Sequence, residues 1–166
     1  MGRAASGTQT CERGCRKKKR NYALPEKSVI IQPIAMNDDE LRAMLIEYMG
    51  RGFLENIIAL MKQDPTAVHF IADLIGDDNI MVRLGATALV EELVKEHRQV
   101  LGGAVPGLVK LLGHENPTIR GDAANVLGII RDRSALEAIM NLRTDEHPTV
   151  REIVRDILQE IERGTR

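Results

Sequence analysis

The stretch Pro117 to Ile130 reads P-T-I-R-G-D-A-A-N-V-L-G-I-I, and the chain writes the same pattern twice more. A pattern too short to enclose a core must bury each copy against the next, which restricts the chain to a stack of similar units. With Arg120 as the reference column, Arg83 and Arg151 align on it without gaps, and the agreement is chemical. Just before the arginine stand Val82, Ile119 and Val150; three after it come Ala86, Ala123 and Val154; six after it Leu89, Val126 and Ile157. Seven after it the set is Val90, Leu127 and Leu158, and ten after it Leu93, Ile130 and Ile161. At 3.6 residues per turn these five columns share one helical stripe about 100° wide.

A first helix precedes this one in every unit. Its apolar face is marked by Val68/Val105/Leu136, Ile71/Leu108/Ile139 and Leu74/Leu111/Leu142. Between the two helices lie Asp78/Glu115/Glu146, then Asn79/Asn116/His147, then Ile80/Pro117/Pro148. Asn before Pro predicts a helix start, because the amide oxygen takes an orphan N–H and proline at the first helical position forfeits no bond. An acidic residue there has the favourable sign for the helix end. Arg83 and Arg120 are 37 residues apart and Arg120 and Arg151 are 31, the six extra residues falling between Leu93 and Ala104.

The segments Asp145-Glu146-His147-Pro148-Thr149-Val150-Arg151 and Pro117 to Ile130 resemble HEAT repeats, specifically the short type related to phycobilisome-lyase repeats, over roughly Thr66 to Glu162. The resemblance implies an all-α, right-handed superhelix of about four helix pairs. The expected repeats are 36–64, 65–101, 102–132 and 133–164. Repeat one departs from the family pattern with Ile80 in place of proline, and repeat three lacks the Ala-Ala and Leu-Gly pairs.

Composition agrees with stacked helices. Four aromatic residues and no tryptophan leave the core to Leu, Ile, Val, Ala and Met. Leu41, Met44, Leu45, Tyr48 and Met49 form one stripe and Phe53, Ile57, Leu60 and Met61 the next, an opening pair that covers the first clear repeat. Asp64-Pro65 ends it. Residues 1–35 differ: eight Lys/Arg against two Glu and no helical stripe predict a disordered, solvated basic tail. Met36-Asn37-Asp38-Asp39-Glu40 reads as an alternative start, with Asn37 as N-cap and Glu40 closing a capping box. Cys11 and Cys15 in the tail have no nearby histidine and are expected to be reduced thiols. No apolar run approaches membrane length, so a cytoplasmic protein is expected.

The residues supply no reaction chemistry. His69, His97, His114 and His147 follow no ligand spacing, and neither a phosphate-binding loop nor a nucleophile elbow is present. Deoxyhypusine hydroxylase has a similar build but carries His-Glu pairs on its helices; here Leu84-Gly85, Gly121-Asp122 and Glu152-Ile153 follow the arginines. The HEAT-like alkylpurine DNA glycosylases use aromatic residues and a basic groove, whereas residues 36–166 carry a net charge of −7. Catalytic, cofactor-binding and metal-binding residues are therefore expected to be none, and nucleic acid is not the expected partner.

Arg83, Arg120 and Arg151 sit in a first helical turn, where a cation is disfavoured by about 0.3–1 kcal/mol. Compensation is expected from Asp77, Asp78, Glu115, Asp145 and Glu146 in the preceding loops, or from carbonyls of the adjacent unit, making a structural ladder. In the resembling family the second helices line the concave side. Columns one, five and eight after the arginine then give the candidate partner-binding residues Leu84, Ala88, Glu91, Asn125, Glu152, Asp156 and Gln159, with Gly121 and Gly128 leaving the groove open. The expected function is a monomeric, non-catalytic scaffold or adaptor that binds another protein of neutral or basic surface. The alternative, implied by the resemblance alone, is an accessory subunit of a lyase or cofactor-attaching enzyme, which tetrapyrrole absorbance after co-expression would reveal.

Overall fold

The structure is a computed structural model that describes residues 37–164. The basic segment 1–35, with Cys11, Cys15 and the Lys/Arg run, lies outside the described residues. Eight α-helices follow in order: α1 (Asp38–Gly50), α2 (Leu54–Gln63), α3 (Ile71–Ile75), α4 (Ile80–His97), α5 (Val105–Leu111), α6 (Pro117–Ile130), α7 (Leu136–Asn141) and α8 (Pro148–Gly164). No strand occurs among the described residues. The fold is an all-α helical repeat.

Local sequence explains the helix ends. Asn37 and Glu40 close a capping box, the Glu40 N–H donating to the Asn37 side chain at 2.9 Å and the Asn37 N–H to Glu40 at 3.2 Å. The chain reverses at Gly52, whose φ of +80° only glycine adopts without strain. Asp64 has left the helical region before Pro65, which terminates α2, and its carboxylate accepts the Thr66 N–H at 3.0 Å. Asp132 repeats that device two repeats later, accepting from Ser134 at 2.8 Å.

First helices are shorter than their apolar pattern suggests, because each enters or leaves through 3-10 turns: Pro65–Phe70 before α3, Arg98–Ala104 before α5, and Arg133–Ala135 and Leu142–Thr144 around α7. The six additional residues of the longer repeat are absorbed by an α4 that runs on to His97 and by the 3-10 segment behind it. The helices α2, α4, α6 and α8 stand side by side in one layer, and α3 packs on α5 in the other.

The five apolar columns form the seam between these layers. Val82, Ala86, Leu89, Val90 and Leu93 on α4, with Ile119, Ala123, Val126, Leu127 and Ile130 on α6, are all buried. On α8, Val150, Val154 and Ile157 are buried while Leu158 and Ile161 are only half covered. Position explains the difference: among the described residues α8 has a neighbour in its own layer, α6, on one side only. Leu45 and Met49 of α1 and Ile57 and Met61 of α2 join the same core, so the opening pair covers the first clear repeat.

Candidate partner-binding surface

The hinges between paired helices show how the units are tied. Position six before each arginine is Asp77, His114 or Asp145, and its side chain accepts the N–H two residues on: Asp77 from Asn79 at 2.8 Å, His114 Nδ1 from Asn116 at 3.0 Å, Asp145 from His147 at 2.8 Å. That bond turns the chain so that two successive carbonyls point at the helix that follows. Asn79 and Asn116 then cap α4 and α6, accepting from Met81 and Thr118 at 2.9 Å each.

The arginine of each unit reads those carbonyls. Arg83 Nη1 donates to the carbonyls of Asp77 and Asp78, Arg120 Nη1 to those of His114 and Glu115, and Arg151 Nη1 to those of Asp145 and Glu146, all at 2.7 to 3.0 Å. The other edge of the guanidinium reaches forward. Arg83 Nε donates to Asp122 of the next unit at 2.8 Å; Arg120 Nε and Nη2 grip both oxygens of Asp145 at 2.9 and 2.8 Å, with Glu146 at 3.3 Å. The compensation is therefore the reverse of the expected one: carbonyls come from the arginine's own loop and carboxylates from the neighbouring repeat. Asp77 and Asp145 have their side chains engaged in making the hinge, while the planar fork of the arginine offers two separate edges.

Burial makes the pair at Arg120 a strong one. The side chains of Arg120 and Asp145 are 7% and 6% exposed, so their hydrogen bonds hold the Asp145 carboxyl below the usual aspartate range and raise Arg120 further. Burial alone would move Asp145 the other way, and the His147 N–H adds to the lowering.

The glycines expected to open a groove instead close the stack. A Cβ on Gly121 would stand 2.9 Å from Ile153 Cδ1, and one on Gly128 would stand 2.9 Å from Ile157 Cγ2. On α6, columns one and eight thus face the next repeat. Sequence alone cannot separate these columns from column five, since all lie within one broad non-core arc of the helix. Among the predicted residues, Asn125 and Asp156 of column five are exposed and Ala88 is half-buried. Leu84 and Glu91 are exposed on α4. Glu152 and Gln159 are exposed on α8, and no later helix among the described residues covers them.

The structure adds two residues that column reasoning missed. Ile80 and Met81 are each 57% exposed, beside Leu84 at 58%, and together they form an apolar patch on the first turns of α4. The signal was the departure from the repeat: Pro117 and Pro148 fill the place of Ile80, and Thr118 and Thr149 that of Met81. A small polar residue is the repeat's own choice at the second position, so two large apolar side chains there are not demanded by the fold.

Elsewhere, a groove of about 630 Å³ runs between α7 and α8 and contains Gln159 of the predicted set. Among the described residues no three His, Cys, Asp or Glu side chains gather as a metal-binding group, and no helix is long and apolar enough to cross a membrane. The family model for HEAT repeats matches residues 102–159. The chain matches no curated protein and no solved structure.

Proposed function

We propose that this chain, an all-α helical repeat whose residues 102–159 match the family model for HEAT repeats, is a non-catalytic scaffold or adaptor that holds another protein on its second-helix layer. HEAT repeats commonly mediate protein–protein interaction. The observation that carries the reading here is the exposed patch Ile80, Met81 and Leu84, whose apolar area gains free energy only when something covers it. Glu91 on α4 and Asn125 on α6, exposed farther along the same layer, add an acidic and a neutral side chain. The partner segment that fits brings an apolar anchor for the patch and basic or neutral residues around it.

Affinity capture with the full chain, beside a Met81→Glu/Leu84→Glu variant, tests this. Both positions are exposed, so the variant should keep its helicity and melting temperature while losing the captured protein. Retention of the same proteins by the variant, or capture of none by the native chain, would sink the proposal.

A further inference from the structure

The two joints clamped by Arg83 and Arg120 are built unequally. Arg120 reaches forward to Asp145, the residue six before the next arginine, and that carboxylate serves two purposes at once. Its Oδ1 accepts the His147 N–H and Arg120 Nη2, both at 2.8 Å, and its Oδ2 accepts Arg120 Nε at 2.9 Å. The residue in the equivalent place ahead of Arg83 is His114. An imidazole has at most one acceptor nitrogen, and in His114 that nitrogen, Nδ1, is engaged by the Asn116 N–H at 3.0 Å. Nothing is left there for a guanidinium to grip. Arg83 turns instead to Asp122 on α6, through Nε alone, at 2.8 Å. The Asp122 side chain is 35% exposed where that of Asp145 is 6%, so water and salt screen this bond more.

Packing differs in the same sense. The helix α8 comes close to α6 because Gly121 and Gly128 receive Ile153 and Ile157. At those two columns α4 carries Leu84 and Glu91, and both are exposed. The other layer of the α4–α6 joint is tight: a Cβ on Gly107 of α5 would stand 2.6 Å from the Ala72 Cβ of α3, and one on Gly103 would stand 2.9 Å from Val68. We propose that the stack flexes at this joint, pivoting where α5 lies on α3 and opening between α4 and α6, with the Arg83–Asp122 bond as its latch. His114 leaves that latch single by standing where the next unit has Asp145. Leu84 of the apolar patch lies on the opening side, so a partner seated there meets a surface whose angle varies. The flexing itself does not depend on that partner, and either reading stands if the other fails.

Spin labels at Glu55→Cys on α2 and Asp156→Cys on α8 span the joint, and both sites are exposed. In the full chain, with Cys11→Ser and Cys15→Ser, pulsed dipolar spectroscopy reads the angle of the joint as a distribution of label distances. His114→Asp supplies the residue that the other two hinges use, keeping the bond to the N–H two residues on and offering Arg83 a second oxygen. It is expected to narrow the distribution at unchanged circular dichroism. Asp122→Asn should broaden the distribution of the native chain, and should broaden it less in the His114→Asp chain, where Arg83 keeps a partner at position 114. Added salt should likewise broaden the native distribution more than that of His114→Asp. Asp122 is partly exposed, so its variant tests the latch even if His114→Asp fails to fold. A distribution that Asp122→Asn leaves unchanged would overturn the proposal, as would equal broadening by Asp122→Asn with either residue at position 114.

Discussion

Arginine in the first turn of a helix opposes the helix dipole, and Arg120 shows how the repeat turns that cost into cohesion. Five hydrogen bonds to two carbonyls and two carboxylates hold it, with the Arg120 and Asp145 side chains buried. Removing one partner of such a pair strands the other, so Arg120→Ala should destabilise the fold by about 3–5 kcal/mol in denaturant melts. Arg151→Ala, which leaves only an exposed residue's bonds, should cost less than about 1 kcal/mol. Equal losses would mean that burial is not what separates them. The carboxylate side of the pair predicts a pH dependence. Asp145 has a folded pKa below its unfolded one, so its contribution is complete above about pH 4 and fades as pH falls through the folded value. The stability gap between the native chain and Asp145→Asn should therefore be flat above that pH and narrow below it; a gap that widens in acid would reverse the sign of the argument.

For the helices as units, the contact of α6 with α8 is set by what α6 lacks. Gly128 would ordinarily weaken a helix interior by about 0.5–1 kcal/mol relative to alanine. Here a methyl would meet Ile157, a β-branched side chain that cannot swing aside, so overpacking of about 1–3 kcal/mol should prevail. Gly128→Ala is expected to lower the melting temperature, while Gly102→Ala, with nothing within 4 Å of the added methyl, should leave it equal or higher. On the seam itself, Leu127→Ala should cost about 2–5 kcal/mol, since the side chain is 1% exposed between both layers. A thermal melt that does not move would show that the seam has been misplaced.

Across the whole molecule, cohesion passes only between neighbours. The opening pair joins the stack through Arg42–Asp73 at 3.1 Å and Lys62–Glu96 at 2.7 Å, both partly exposed, whereas the middle joints rest on the more buried Arg83 and Arg120 pairs. A linear array coupled this way opens from its ends. Hydrogen exchange should find α8 and α7 less protected than α4 and α6, and Arg120→Ala should strip protection from α7 and α8 first. Uniform loss along the chain would indicate a single cooperative unit instead. The surface proposed to bind a partner lies where this array leaves apolar side chains uncovered, on α4, where repeat one abandons the Pro-Thr start.

How much of this was legible beforehand differs by kind of interaction. The helix pairs, the apolar seam, the Asn79 and Asn116 caps and the Asn37–Glu40 capping box are written in residue type and spacing, because each depends on neighbours within a few residues along the chain. The direction of each arginine's outer edge, the filling of Gly121 and Gly128 by Ile153 and Ile157, and the exposure of Met81 beside Leu84 were not, because each depends on the offset between successive units. That offset is a distance between helices far apart in sequence, and only packing sets it. The sequence by itself determined a stack of two-helix units; the tertiary structure decided which columns meet the next unit and which remain for a partner.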